Sequence, residues 1–138
     1  MAAPRDGGYL GGMYEIRIEE CFAASHAIRL PDGGLEPVHG HNWQVTVAVR
    51  RDGLDAIETV MDFHALAAIV KQILAPFHNR HLNEIAPFVD GQVSPTAERV
   101  AWWVGTQTAR RLPPEVRLAH VRITEAPGCS ASYCPDQP

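Results

Sequence analysis

Three histidines carry the strongest chemical signal in this chain of 138 residues. His39 and His41 are one residue apart, and in an extended segment that spacing puts both imidazoles on the same face. Gly40 between them adds no bulk on the opposite side. His26 lies in phase with Phe22 and Ala24 on a preceding alternating stretch. If the two stretches pair, three neutral imidazoles converge from two directions. Three histidines with a vacant fourth position are the arrangement of a catalytic zinc site, because a structural site is closed by a fourth protein ligand. The chain has seven histidines, so an H-x-H pair by itself also fits partly buried or surface side chains. The text around the three decides between these readings.

The elements that must position them are legible from period and punctuation. Tyr14, Ile16 and Ile18 alternate with charged residues, which predicts a half-buried strand over 14–24. The segment from Arg29 to Val38 is dense in proline, glycine and aspartate and reads as a loop. Trp43, Val45, Val47 and Val49 alternate with Gln44, Thr46 and Ala48, a second strand ended by Arg51-Asp52-Gly53. Asp62 can cap a helix carrying Phe63, Leu66, Ile69, Val70 and Ile73 at helical spacing, stopped at Pro76. Ser94-Pro95 is a second helix start, with Val100, Trp103, Val104 and Gln107 on one face and Pro113-Pro114 at the end. Strands fit 117–125 and 130–134. This order predicts an α+β domain: a four-stranded antiparallel sheet with two helices on one face. Such a sheet leaves its edges open, and pairing them between subunits into a closed barrel predicts an oligomer.

Composition narrows the function. The length suits one domain; residues 1–12 read as a flexible N-terminal tail and 13–138 as the single folded unit. A formal net charge of −4, with no Lys/Arg stretch, argues against a nucleic-acid partner. No apolar run reaches the roughly 20 residues that span a bilayer, and the N-terminus has no apolar signal-peptide core. Three cysteines, Cys21, Cys129 and Cys134, form no even disulfide framework, which predicts a reducing cytoplasm. None has zinc-ligand spacing.

The histidines stand in a longer pattern: Phe22-Ala-Ala-Ser-His26, the turn-rich loop, then His39-Gly-His41-Asn-Trp43. Val60-Met-Asp-Phe63, Leu82-Asn83, Pro95-Thr-Ala-Glu98 and Thr124-Glu125 follow in order. Together they resemble the 6-pyruvoyl-tetrahydropterin synthase and 6-carboxy-tetrahydropterin synthase family, over about residues 14–133. The resemblance implies the tunnelling fold, with subunits joining their sheets into a barrel, usually a homo-hexamer. It also implies zinc and a dihydropterin held between subunits. Glu125 falls where the family anchors the pterin ring, a role that suits a carboxylate facing the N3–H and 2-amino donors. Thr96 and Glu98 match a second pterin-contacting motif, although helix capping explains Thr96 nearly as well.

The proton-transfer residues depart from the family. Its cysteine, four residues before H-G-H, is Leu35 here, and its Asp-His pair falls on His78-Asn79. An ordinary 6-pyruvoyl- or 6-carboxy-tetrahydropterin synthase is therefore not expected. Glu36-Pro-Val-His39-Gly-His41 instead resembles the E-x-x-H-G-H branch that cleaves the side chain of 7,8-dihydroneopterin triphosphate to 6-hydroxymethyl-dihydropterin for folate synthesis. Glu36 and His78 are both candidate bases, Glu36 if partial burial raises its pKa and His78 because an imidazole titrates near neutrality. Arg29 and Arg80 are candidate triphosphate contacts. Two alternatives stand beside the lyase: a synthase-like enzyme with another zinc reaction, such as triphosphate elimination or deamination of a related heterocycle, and a non-catalytic pterin- or purine-binding module. The pathway expected for an enzyme is folate or queuosine biosynthesis.

Overall fold

The computed structural model describes residues 11–135. The tail expected over 1–12 therefore lies almost wholly outside the described residues. Strand β1 (Met13–His26) and strand β2 (His39–Asp52) form a long antiparallel ladder, followed by helix α1 (Phe63–Leu74). A two-residue strand β3 (Arg80–His81) leads through a short 3-10 turn to helix α2 (Ala97–Ala109), strand β4 (Arg117–Ala126) and strand β5 (Cys129–Tyr133). The sheet order is β3-β1-β2-β4-β5. The four expected strands are all antiparallel neighbours, and β3 adds a fifth that runs parallel to β1 at Ala24 and Ser25. Two residues carry no periodic signal, so β3 was invisible in the sequence.

Both helices pack on one face of the sheet, where Phe22, Trp43, Val45, Val47, Val121 and Ile123 meet Leu66, Val70, Val100 and Val104 in one core. Asp62 caps α1 as expected, accepting from the His64 N–H at 2.9 Å. The buried stripe of α1 is Leu66, Val70, Ile73 and Leu74, while Phe63 at its start is half exposed. In α2 the cap is Thr96, not Ser94: its hydroxyl accepts from Arg99 N–H at 3.1 Å. The reason is local. Proline disfavours the α region for the residue before it, so the helix cannot begin until Pro95 is passed. The face of α2 is the expected one at Val100 and Val104 and differs at Trp103 and Gln107. Val100, Ala101, Val104, Gly105 and Thr108 are buried, and Trp103 is only half buried. Small residues let this helix approach the sheet closely. A Cβ on Gly105 would lie 2.6 Å from the Tyr133 ring, so a larger residue there would push β5 away.

Candidate metal centre

The histidines sit at one end of the helix-covered face. In the β1–β2 register His26 pairs with His39, Ala24 with His41 and Phe22 with Trp43, so the alternation that buries Phe22 and Trp43 also brings the imidazoles to the same face. Their ring centroids are 4.7 Å (His26–His39), 5.1 Å (His26–His41) and 4.8 Å (His39–His41) apart. Trp43 forms the floor. Its ring stacks on Phe22 and meets His26 and His41 edge-on, and its indole N–H donates to the Ala24 carbonyl at 3.1 Å.

Backbone carbonyls orient two of the rings. His26 Nδ1 lies 2.7 Å from the Pro95 carbonyl and His39 Nδ1 lies 2.9 Å from the Pro37 carbonyl. A carbonyl can only accept, so both Nδ1 atoms carry hydrogen and, in the neutral rings, both Nε2 atoms present lone pairs. Those two Nε2 atoms are 3.1 Å apart. His41 Nε2 is buried with no hydrogen-bond partner. Burial holds the His41 imidazole below its ordinary pKa, an effect the Glu125 carboxylate opposes and the other two histidines reinforce. Two converging lone pairs beside a buried His41 Nε2 that has no hydrogen-bond partner suit a divalent cation.

The sheet adds a fourth member that spacing alone did not reveal. Beyond the Gln44–Thr124 pair of the β2–β4 ladder comes Glu125, on the same face as Ile123. Its Oε1 lies 2.9 Å from His26 Nε2 and 3.4 Å from His41 Nε2. Ligand atoms of His26, His39, His41 and Glu125 all fall within 4.8 Å of one another, and this group could hold a metal ion. A cavity of about 560 Å³ opens beside it, lined by Gly40, His41, Asn42, Gln44, Thr124, Glu125, Ala126 and Pro127. A second, of about 490 Å³, lies on the other side of Gly40–Asn42 and is lined in part by Ser25, Asn79, Arg80 and His81. Both are of a size that suits small molecules.

Glu36 is brought to the rim of the cluster. The turn-rich segment is an ordered hairpin, closed by Gly33 N–H to Leu30 C=O at 2.9 Å and by a left-handed Gly33 at φ +89°. The turn folds Glu36 back against Ile28. Its N–H donates to the Ile28 carbonyl, and its Oε1 accepts from the Ile28 N–H, both at 3.1 Å. The same Oε1 is 3.7 Å from His39 Nε2. Leu35 beside it is exposed.

His78 does a different job. Its Nδ1 accepts from Ala23 N–H at 3.2 Å, and Asn79 N–H donates to the Ala23 carbonyl at 2.6 Å. Asn79 has φ +58°, a left-handed conformation that asparagine tolerates better than most residues. Together they cover the edge of β1 three residues before His26. Asn83 clamps the next stretch, accepting from Ala27 N–H at 2.9 Å and donating to the Ala27 carbonyl at 2.8 Å. Replacing Asn83 by alanine strands both groups. The expected cost is about 1–3 kcal/mol, read as a fall of several degrees in Tm, and an unchanged Tm would remove Asn83 from this role.

Thr96 caps α2 and Glu98 is exposed in its first turn; neither belongs to the four-residue cluster. Arg29 is committed elsewhere. Its guanidinium donates to the carbonyls of Gly91 (2.8 Å) and Gln92 (3.3 Å), and its N–H donates to Ser94 Oγ. Arg80 is exposed at the edge of the second cavity. The three cysteines are free and exposed, away from the cluster.

The chain thus combines a five-stranded sheet, two helices on one face and a three-histidine cluster at its end, and comparison with known proteins gives that combination a family. The 6-pyruvoyl tetrahydropterin synthase family matches residues 15–136, and the chain belongs to that family. The 6-pyruvoyl tetrahydropterin synthase of Caenorhabditis elegans superposes with a TM-score of 0.77 at 20% identity, covering 91% of this chain and 98% of that one. An uncharacterized protein from Wolinella succinogenes gives 0.72 at 19%, covering 90% and 99%. A Plasmodium vivax 6-pyruvoyltetrahydropterin synthase, solved with a catalytic glutamate replaced by alanine, gives 0.70 at 16%, covering 88% and 97%. No curated protein sequence matches at a significant level. No helix among the described residues is long and apolar enough to cross a membrane.

Proposed function

We propose that the protein is a zinc-dependent pterin lyase that cleaves the side chain of 7,8-dihydroneopterin triphosphate, with Glu36 as its base. The observation that carries this reading is the position of Glu36: a carboxylate held by the Ile28 N–H, 3.7 Å from His39 Nε2, in a loop whose cysteine position is an exposed leucine. Family membership supplies the pterin substrate class. The Plasmodium vivax relative, whose replaced catalytic residue is a glutamate, supports a carboxylate in the role.

His26, His39 and His41 would hold the zinc, which supplies Lewis acidity that lowers the pKa of a hydroxyl brought to it. Glu36 takes the proton of the C2′ hydroxyl, C1′–C2′ breaks, and the electron pair passes into the dihydropterin C=N system. The C2′ oxygen becomes the carbonyl of a two-carbon aldehyde that carries the triphosphate away. The proton on Glu36 returns to C1′, leaving 6-hydroxymethyl-dihydropterin. Atoms and electrons balance without a further reactant.

The hydrogen bonds favour Glu36 over His78 as base. His78 Nδ1 is occupied by the Ala23 N–H, so the neutral ring carries its hydrogen on Nε2 and has no free lone pair to offer. Glu36 keeps Oε2 free of any protein hydrogen bond among the described residues. In this reading Glu125 anchors the pterin, with Thr96 and Glu98 as further substrate contacts. The protein works in the cytoplasm as a homo-oligomer, a hexamer by analogy with the family, with its sites at subunit interfaces. Incubating zinc-loaded protein with 7,8-dihydroneopterin triphosphate should yield 6-hydroxymethyl-dihydropterin, identified by mass. A pyruvoyl or carboxy product would replace the lyase with the synthase reaction, and no turnover on any dihydropterin would leave a binding module.

A further inference from the structure

We infer that Glu125 is a fourth ligand of the metal centre in the substrate-free protein, and that an arriving pterin ring draws it off. The inference rests on the metal and pterin of the reading above. It starts from one contact: Glu125 Oε1 is 2.9 Å from His26 Nε2, the nitrogen left as a lone pair by the Pro95 carbonyl on the far side of the ring. An ionised carboxylate only accepts. A carboxylate oxygen facing an imidazole nitrogen at that distance calls for a shared cation, a proton or a metal ion. The same oxygen is also 3.4 Å from His41 Nε2, which has no hydrogen-bond partner, and three imidazoles converging on one carboxylate favour the metal. The four ligand atoms already stand within 4.8 Å of one another. Three imidazoles and one carboxylate would make a closed, four-ligand set, which is a resting arrangement and not a working one.

What opens it follows from where the carboxylate sits. The Glu125 side chain is 27% exposed and lines the 560 Å³ cavity, whereas His26 is 1% exposed and the more exposed His39 is tied through Nδ1 to the Pro37 carbonyl. Glu125 is the ligand with room to leave. A pterin entering that cavity offers two adjacent donors, N3–H and the 2-amino group, to a carboxylate that can accept both at once. Glu125 exchanges one metal contact for two hydrogen bonds and thereby frees a ligand position for the side-chain hydroxyl of the same molecule. One residue then couples recognition of the ring to readiness of the metal. The centre stays capped until the correct heterocycle is bound.

The test reads the metal and requires no turnover. Cobalt(II) is loaded in place of zinc and its visible absorption is recorded, which changes with the number and type of ligands. Zinc affinity is measured by competition with a chelator. Glu125→Gln is expected to weaken zinc binding by at least about 10-fold, the loss seen when support to a metal ligand is removed, and to shift the cobalt spectrum. In the parent protein, 7,8-dihydropterin lacking a side chain should move the cobalt spectrum toward that of Glu125→Gln, because such a ring brings no hydroxyl of its own to the metal. This second arm uses no variant, so it stands even if Glu125→Gln fails to fold. An unchanged affinity and spectrum in folded Glu125→Gln overturns the ligand role. A parent spectrum indifferent to bound dihydropterin overturns the release. An inactive lyase leaves both readings of the metal intact, so this inference and the proposed reaction fail separately.

Discussion

Glu36→Gln is expected to fold, keep its metal and bind pterin while losing roughly 10²–10⁴-fold in turnover, the usual contribution of a positioned general base. The variant is a clean one for structural reasons. Glutamine retains an oxygen that can accept from the Ile28 N–H, and the Glu36 backbone bond to Ile28 does not involve the side chain at all. What disappears is the capacity to take a proton. His78→Ala should cost less, since it removes an acceptor for the Ala23 N–H at the edge of β1 and not a proton carrier. Steady-state rates on 7,8-dihydroneopterin triphosphate for the two variants separate these roles. Normal turnover by Glu36→Gln beside a dead His78→Ala would move the base to the end of α1, and the resemblance to the glutamate branch would have misled.

The second large effect is on the metal. Elemental analysis of the parent should find close to one zinc per chain, and His39→Ala should lose it almost entirely. His39 is the better choice over His26. Its side chain is 41% exposed, so removing it deletes a ligand with little cost to the core. His26 is 1% exposed and holds the Pro95 carbonyl, so His26→Ala also strands a buried acceptor, at about 1–3 kcal/mol. A metal loss in that variant would be confounded with unfolding. Full zinc occupancy in a chain with His26, His39 and His41 all changed to alanine would end the assignment.

The three histidines were legible because a strand repeats every two residues: once β1 and β2 are recognised, the alternation that buries Phe22 and Trp43 fixes the faces of His26, His39 and His41. Helices α1 and α2 were legible from their periodicity, and so were Val100 and Val104 on the buried face of α2, but not the remainder of that face. The rest is alanine, glycine and threonine, which carry little hydrophobic signal, while the large Trp103 stays half outside. The nearness of Glu125 to the imidazoles depends on the β2–β4 register, which no local spacing encodes. The supports of the site were silent for another reason. Pro37 and Pro95 act through carbonyls, and Ile28 through its N–H, groups that nearly every residue possesses. Asn83 was visible as a motif, and its clamp on Ala27 explains the motif physically.

The stretch from Val89 to Val93 has the look of a segment open to evolutionary drift, exposed over most of its length and marked by Gly91 at φ +77°. Such loop tips ordinarily accept insertions and deletions freely. This one is moored along its second half: Arg29 grips the carbonyls of Gly91 and Gln92, Ser94 Oγ accepts from the Arg29 N–H, and the carbonyl of Pro95 aims His26. Its length is therefore a dimension of the metal centre. A graft, a permuted terminus or a single inserted residue here would tilt a buried imidazole, and an engineer choosing a site for new sequence should pass this loop by.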